Sequence, residues 1–391
     1  MRSTVPEERL VGGYSGRLLL AVSVGWAFIQ AGRLVVSPLL PEISAQFALS
    51  PTQEGFTVTA IWLVYACLQY PSGRLSDRLT RTTLLVAGLC AVSVGFLVFA
   101  GAPTYLVVLL GAVLIGFGAG LYPTPARGLV SDLYVERRGQ AFGLHTASGD
   151  AGGVIAAGLA AAILAVASWR GAFLPVVVVL VAVALALHVW SREGYHVESV
   201  ELDIAATARR LLGDRSMRRL LAAYALYAFT WQAATGLLPT FLQRSKSFSP
   251  AIATASFGAL FVVGAVVKPI AGGLGDRFRR DRLAPAALLL AAVALSGIVL
   301  ASGERSVTVG VVAFAVGLMA YPPVMQAYLM DTFPTESMGG DLGGMRSVYI
   351  GLGSLGPTAV GFVAGQTSYR VAFAGLVGCL LVAVALVLVG E

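Results

Sequence analysis

Long apolar runs, each near the length of a membrane-crossing helix, follow one another along almost the whole chain. A helix needs about 20 apolar residues to cross the hydrocarbon core of a bilayer. The sequence therefore predicts an all-α membrane protein with twelve transmembrane helices, short loops and no sizeable soluble domain. The predicted spans cover residues 17–40, 52–75, 82–101, 104–131, 139–167, 171–190, 218–242, 250–275, 283–302, 307–330, 342–366 and 370–390.

The composition excludes the main alternatives. Only 12% of the residues are charged and 57% are hydrophobic, whereas about a quarter of the residues of a soluble domain are charged. Disordered chains are polar and highly charged, so disorder is excluded too. The three cysteines all fall inside apolar runs, so we expect neither a disulfide framework nor a metal site. A polar start followed by an overlong apolar run makes a cleavable signal peptide unexpected.

Basic residues orient the chain in the membrane. If the N-terminus lies in the cytoplasm, the loops on that side hold 18 of the Lys and Arg residues and the opposite loops hold 5. Cytoplasmic loops are enriched in Lys and Arg, and an even number of spans returns the C-terminus to the same side. Both termini are therefore predicted to be cytoplasmic, in a multi-pass protein of the cell membrane. Because the basic residues explain topology, no nucleic-acid partner is expected.

The two halves of the sequence repeat each other at an offset of 199 or 200 residues. Four matched elements in the same order predict two pseudo-symmetric bundles of six helices each, a known transporter plan. The predicted parts are an N-terminal bundle at 1–190, a cytoplasmic linker at 191–217 and a C-terminal bundle at 218–391. The matched elements are 73–81 with 272–280, Tyr122-Pro123 with Tyr321-Pro322, Asp132 with Asp331, and 168–173 with 368–373.

The repeated loop motif identifies a resemblance to the major facilitator superfamily. The motif reads Gly-x-Leu-x-Asp-Arg-x-x-Arg after the second span and recurs after the eighth, and Trp-Arg-x-x-Phe opens the sixth span. The resemblance implies secondary transport by alternating access, with a cytoplasmic cluster that holds that side shut while the protein faces outward. Arg78 and Arg81 could instead serve only as topology charges. The implied latch residues are Asp77, Arg78, Arg81, Asp132, Asp276, Arg277 and Asp331.

Ionisable side chains at membrane depth are costly and usually face a cavity. Four cations and one carboxylate predict an electropositive cavity that prefers an anion. Arg33 lies about 24 Å into its span at 1.5 Å per residue, too deep to reach the near surface comfortably. The intramembrane ionisable residues are Arg33, Arg127, His145, Asp150, Lys268 and Arg346.

These residues and their neighbours define the candidate substrate site. Lys268 precedes a proline, as a cation does in family members that carry monocarboxylates or oxalate, although it could also reach the cytoplasmic surface. Arg346 could pair with Asp341, and Arg127 fits a structural role near the loop. Aromatic and amide groups at similar depth complete the cavity or pack the helices. The candidate substrate-binding residues are Gln30, Arg33, Tyr227, Trp231, Gln232, Lys268, Tyr321, Arg346 and Tyr349.

Asp150 and His145 are the candidates for proton coupling. A buried, unpaired carboxylate suits a proton carrier, whereas a nearby cation would hold Asp150 ionised and make it structural. His145 either passes on a proton or remains a neutral hydrogen-bonded group.

The preferred function is secondary transport of a small organic anion with proton coupling, by a monomer that has no cofactor. The alternative is a proton-coupled exporter of drugs or other amphipathic compounds. Two family features of such exporters are missing, because Ala112 stands where they carry an Arg and Asp150 where they carry a Pro. An enzyme is unexpected, since neither a His-Glu-x-x-His motif nor a nucleotide-binding Gly-x-x-x-x-Gly-Lys-Ser/Thr loop is present.

Overall fold

The computed structural model describes residues 8–76, 78–166, 168–198, 209, 213–332 and 338–389, and this part of the chain is helical nearly throughout. A short 3₁₀ turn, Trp169–Ala172, precedes the eighth helix. The α-helices are α1 (Gly13–Leu34), α2 (Val36–Phe47), α3 (Pro51–Ser76), α4 (Arg81–Ala100), α5 (Tyr105–Leu121), α6 (Pro123–Leu133), α7 (Arg138–Val166), α8 (Phe173–Trp190), α9 (Arg215–Lys246), α10 (Pro250–Arg277), α11 (Arg280–Leu300), α12 (Glu304–Thr332), α13 (Met338–Gly353), α14 (Leu355–Gln366) and α15 (Tyr369–Leu388).

Ten helical segments in the described part of the chain are long and apolar enough to cross a membrane. Three of them are pairs of helices that join at a bend, namely α1 with α2, α5 with α6, and α13 with α14. The remaining long helices, α3 with 26 residues and α9 with 32, have the length for a span but are less apolar. That α3 and α9 also cross the membrane, which would give twelve spans in all, therefore stays a prediction.

Local sequence explains where several helices begin. A side-chain oxygen that accepts a backbone N–H of the first turn satisfies a donor that lacks a partner inside the helix. Thr80 caps α4 in this way by accepting the N–H of Thr83, and Asp214 caps α9 by accepting that of Met217. Ser249 and Ser368 do the same for α10 and α15.

Glycine allows helices of one half to pack closely. A Cβ atom at Gly118 of α5 would lie 2.2 Å from the backbone nitrogen of Val92 in α4, and a Cβ at Gly95 would lie 2.6 Å from that of Ile115. No side chain fits at such distances, so these positions bring the two backbones together. Small residues serve this purpose at helix contacts within membranes.

The helices form two groups that meet along a central interface. In the first, called here the N-terminal bundle (α1–α8), α1 packs on α7 and α8, and α4 packs on α5 and α8. In the second, called the C-terminal bundle (α9–α15), α9 packs on α13 and α15, and α11 packs on α12 and α15. The groups touch mainly where α3 meets α13 and α14, and where α7 meets α10.

The contact of α3 with α14 is a backbone-to-backbone contact at the predicted extracellular end. A Cβ at Gly55 would lie 2.0 Å from the carbonyl oxygen of Pro357. On the other side of the same contact, a Cβ at Gly361 would lie 2.1 Å from the carbonyl oxygen of Pro51. The bundles are thus closed against each other at this end.

The predicted cytoplasmic ends carry the signature loops. Arg81 pairs with Asp132 at 3.2 Å, and its guanidinium also bonds to Ser76 at the end of α3. In the second copy, Asp276 pairs with Arg280 at 3.1 Å.

Other members of the proposed latch are placed differently. Arg78 lies 4.0 Å from Glu198 of the segment that follows α8, and Arg277 is exposed. Asp77 and the side chain of Asp331 lie outside the described residues. The latch function stays a prediction.

Glu8 and Arg9, which precede α1, form hydrogen bonds with the loop between α6 and α7. The carboxylate of Glu8 accepts backbone N–H bonds from Val135, Glu136 and Arg137, which lie just before the start of α7. These bonds, with that of Val135 first, lower the pKa of the Glu8 carboxyl below its usual value. The hydroxyl of Tyr134 donates to the carbonyl of Arg9 at 2.7 Å.

Candidate substrate cavity

A cavity of about 230 Å³ lies between the two bundles. The N-terminal bundle lines it with side chains of α1 and α3, and the C-terminal bundle with side chains of α9, α10, α12 and α13. Its lining residues are Trp26, Gln30, Trp62, Tyr65, Tyr224, Tyr227, Ala228, Trp231, Gln232, Lys268, Met319, Pro322, Gln326, Arg346, Tyr349 and Ile350.

A second cavity, of about 170 Å³, adjoins the first. The two share Tyr224, Gln326, Arg346 and Tyr349, so they form one continuous lining on the C-terminal side. From the N-terminal bundle the second cavity adds Arg127 of α6. The sequence favoured a structural role for Arg127, but the fold places it on the wall of this cavity.

Lys268 and Asp150 form an ion pair between the bundles. The Lys268 Nζ atom lies 2.5 Å from Oδ1 of Asp150, and the side chains are 29% and 11% exposed. Asp150 belongs to α7 and Lys268 to α10, the two helices that meet along one side of the central interface. The carboxylate that the sequence singled out for proton coupling is therefore held by the cation singled out for substrate binding.

Arg33 is buried beside the cavity and does not line it. Its guanidinium lies between the rings of Trp62 and Tyr65, at 3.9 and 4.1 Å from the ring centres. Its Nη1 atom donates to Gln30 at 3.1 Å, while Nε and Nη2 have no hydrogen-bond partner in the described part of the chain. Cation–π contact with two rings stabilises a desolvated guanidinium by about 2 kcal/mol or more.

The aromatic residues predicted at mid-depth pack into a wall around the cavity. Trp231 meets Trp62 edge to face across the bundle interface, with centroids 5.3 Å apart, and Tyr349 stacks on Tyr224 at 4.0 Å. Tyr227 donates its hydroxyl hydrogen to the carbonyl of Leu318 at 3.0 Å.

Two further predicted site residues lie in the same region. Gln232 donates to the carbonyl of Ile350 at 3.0 Å, and its side-chain oxygen has no partner in the described chain. Tyr321 is fully buried behind the wall and packs on Tyr227 at 4.6 Å, so it is not among the lining residues.

His145 lies in α7, near the cavity wall rather than on it. Its ring packs against Trp26 with centroids 6.4 Å apart, and the residue is 2% exposed. The Nδ1 atom has no hydrogen-bond partner within the described ranges. The structure thus places His145 beside the lining residue Trp26. The described part of the chain shows no hydrogen bond between His145 and Asp150.

A second ion pair joins the bundles at the predicted extracellular end. Glu54 of α3 is fully buried, and its two carboxylate oxygens accept from Arg244 of α9 at 2.5 and 3.1 Å. The hydroxyl of Tyr369 in α15 also donates to Glu54, and Arg244 donates to Ser44 of α2. We call these four residues the outer ion-pair cluster.

The sequence did not predict this cluster or several of the lining residues. Trp62 and Tyr65 lie three residues apart in α3, and Tyr224 precedes Tyr227 by the same spacing, so helical periodicity places each pair on one face. That spacing was the available signal for these residues. No comparable signal linked Glu54 to Arg244, because 190 residues separate them.

Comparison with known proteins decides the family. The family model described as Major Facilitator Superfamily matches residues 22–339 and, in a second match, residues 220–391. The chain belongs to the major facilitator superfamily. The resemblance seen in the signature loops is therefore confirmed, and the two matches together span both bundles.

Curated relatives of this superfamily member include two whose names give a substrate. It is 28% identical over 382 residues to a probable sulfoacetate transporter, SauU, of Cupriavidus necator, covering 87% of this chain and 85% of that protein. It is 21% identical over 406 residues to the glycerol-3-phosphate transporter of Bacillus subtilis, covering 94% and 90%.

Solved structures give the same fold. A bacterial homologue of the human lysosomal transporter Spinster, in an inward-facing and unoccupied conformation, matches with a TM-score of 0.83 at 20% identity, covering 97% of this chain and 98% of that one. The occupied inward-facing form of the Spinster homologue gives 0.84 at 19% identity, with 97% of each chain covered. The chain therefore has the fold of a multi-pass membrane transporter.

Proposed function

We propose that this protein carries a small organic anion across the cell membrane by alternating access, with proton coupling. The basic side chains around the central cavity support an anionic substrate, because Lys268 and Arg346 line one part of it and Arg127 and Arg346 the other. The described lining of both parts contains no acidic residue. Sulfoacetate and glycerol 3-phosphate, named for two relatives, are the first candidates to test.

The architecture in this proposal has twelve spans. Helices α3 and α9 complete the ten segments that are apolar enough on their own, which gives six spans in each bundle and leaves both termini in the cytoplasm. The parts are residues 1–190, a cytoplasmic linker at 191–217 and residues 218–391. The protein works as a monomer in the plasma membrane.

The ion pair of Lys268 with Asp150 is the observation that carries the coupling proposal. Asp150 is paired with the ammonium group of Lys268, to which a substrate carboxylate or sulfonate would otherwise bind. An incoming anion must therefore displace the Asp150 carboxylate. An isolated carboxylate at this depth is costly, so it takes up a proton from solution when Lys268 turns to the substrate. One anion and one proton then occupy the cavity together.

The same exchange links binding to movement of the bundles. Asp150 and Lys268 belong to α7 and α10, so the bond between them holds the two bundles together beside the cavity. Displacement by a substrate removes this direct bond. The bundles are then free to rock about the loaded cavity, which is what alternating access requires.

The test is transport by purified protein in proteoliposomes. Labelled sulfoacetate, glycerol 3-phosphate, a monocarboxylate, a neutral sugar and a cationic dye are compared with and without an inward proton gradient. We expect an anion from this panel to accumulate when the gradient is present. Transport of only the dye or the sugar would contradict the proposal and favour the exporter of amphipathic compounds.

Variants separate the roles of the two paired residues. Asp150→Asn should abolish accumulation driven by pH while it keeps downhill exchange, and its anion binding should lose the dependence on pH. Lys268→Gln should weaken anion binding by about 10- to 100-fold, because one charge-assisted hydrogen bond contributes about 1.5–3 kcal/mol. Arg305→Gln is the matched control, because Arg305 is an exposed cation outside the cavity. Full pH-driven accumulation by Asp150→Asn would leave Asp150 structural.

A further inference from the structure

The balance of charge differs between the two connected parts of the central cavity. Lys268 is neutralised by Asp150, whereas the described residues that line the second part beside Arg127 and Arg346 are all uncharged. The side chain of Asp341, which the sequence suggested as a partner of Arg346, lies outside the described residues. The Nε atom of Arg346 is buried without a hydrogen-bond partner in the described part of the chain. Arg33, the other deep cation, is stabilised by two aromatic rings and Gln30.

Two guanidinium groups that face one cavity repel each other, and the repulsion is strong where water is sparse. Membrane proteins keep such groups at depth by pairing them or by exposing them to a water-filled or ligand-filled space. Arg127 belongs to α6 of the N-terminal bundle and Arg346 to α13 of the C-terminal bundle. A single anionic group placed between them would therefore bond to both bundles.

Guanidinium groups also fix the geometry of their partner. Their planar N–H donors match the oxygens of carboxylate, sulfonate or phosphate in bidentate pairs, which an ammonium group such as that of Lys268 does not. Arg346 lines both parts of the cavity, so the place between the two guanidinium groups is continuous with the space around Lys268.

We propose that the substrate is a short molecule with two acidic groups, one held between Arg127 and Arg346 and the other by Lys268 after it displaces Asp150. This inference rests on the proposed anion transport and adds the number of charges and their places. Its consequence is mechanical, because repulsion between Arg127 and Arg346 opposes their approach in the empty protein. A bound acidic group removes that repulsion and draws the two bundles together at the second part of the cavity, while displacement of Asp150 releases them at the first part.

Binding of matched ligands tests the inference. The probes are malonate and its monomethyl ester, which is similar in size but carries one negative charge at pH 7. Affinity is measured by calorimetry on the full chain in lipid nanodiscs. We expect malonate to bind about 10- to 100-fold more tightly than the ester, as one charge-assisted contact is worth about 1.5–3 kcal/mol. The affinities of succinate and glutarate, which are longer, then report the distance between the two positions that bind the acidic groups.

Substitutions test whether Arg127 and Arg346 cause the preference for malonate over its ester. Arg127→Gln and Arg346→Gln should each remove most of the preference for malonate, whereas Arg127→Lys and Arg346→Lys should keep part of it. Arg305→Gln, an exposed control, should leave it unchanged. If the Gln variants do not fold, the wild-type comparison alone still decides.

Equal affinity of the wild-type protein for malonate and its ester would overturn the two-acid inference. Anion transport with one negative charge would then survive as the function, provided that Lys268→Gln still weakens binding. If no anion of either kind binds while other compounds are transported, the proposed function itself fails.

Discussion

The outer ion-pair cluster gives a measurable prediction about the balance of conformations. Glu54 is completely buried and receives both Nη groups of Arg244 together with the hydroxyl of Tyr369. Glu54 belongs to the N-terminal bundle and its two partners to the C-terminal bundle. Opening of the predicted extracellular end must therefore break all of these contacts, whereas the closed end keeps them.

The substitution Glu54→Gln keeps the shape of the side chain and removes its charge. Breaking a fully buried ion pair costs about 3–5 kcal/mol, but the Arg244 side chain is 37% exposed. Solvent reduces the loss, so one charge-assisted bond of about 1.5–3 kcal/mol is the better value. Only the conformation that is closed at this end loses this stabilisation, because the open conformation lacks these contacts. We expect the population ratio to shift about 10- to 100-fold toward the state that is open at this end.

Distances between spin labels measure this shift. Thr104 follows α4 in the N-terminal bundle and Thr367 follows α14 in the C-terminal bundle, and both are exposed. Labels are attached to cysteines at these positions after the three native cysteines are replaced by serine. Double electron–electron resonance should then show a longer distance as the major population in Glu54→Gln.

Glu304→Gln is the matched control, because Glu304 is an exposed carboxylate at the same predicted end. It should leave the distance distribution of the labelled protein unchanged. If Glu54→Gln gives the same distribution as Glu304→Gln, the cluster does not hold the bundles closed, and the energetic reasoning is refuted.

Two other features give predictions of their own. Gly55→Ala should prevent closure of the predicted extracellular end, because its Cβ would lie 2.0 Å from the carbonyl oxygen of Pro357. Wild-type turnover in proteoliposomes would contradict this prediction, and Gly297→Ala, where a Cβ meets open space, is the control. Glu8→Gln should lower the melting temperature at neutral pH. The pKa of Glu8 is lowered by its backbone N–H bonds, so its stabilisation is complete above the usual pKa and is lost as the pH falls through the lowered one. The melting curves of variant and wild type should therefore converge in acid, and a gap that persists there would show another cause.

The architecture was predictable because the bilayer imposes length and apolarity on each span. Helices α3 and α9 differ from the other spans. They were predicted as spans from their overall pattern, but their hydropathy is below that of the other ten segments. Their polar residues include Gln69, Gln232 and Glu54, all of which are buried between helices. A hydropathy average cannot distinguish a polar group that faces lipid from one that faces a neighbouring helix.

The residue types that line the candidate cavity were predictable, but the pairings between them were not. Depth along a span identified Lys268 and Asp150 separately, yet 118 residues separate them and their bond depends on how α7 and α10 are rotated. The same reason explains Arg127, which looked structural because it is near a loop in sequence. Helical periodicity gives the face on which a residue lies, but the partner of that face is set by tertiary packing.

The polar faces of α3 and α9 have a consequence for the biogenesis of the protein. Thr59 of α3 donates to the carbonyl of Ser354 at 2.5 Å, and Gln232 of α9 donates to that of Ile350 at 3.0 Å. Both acceptors are near the bend between α13 and α14, so the ribosome makes them long after the helices that need them. A translocon admits each helix according to its own apolarity. We therefore expect α3 and α9 to settle in the bilayer late, after the last third of the chain has emerged.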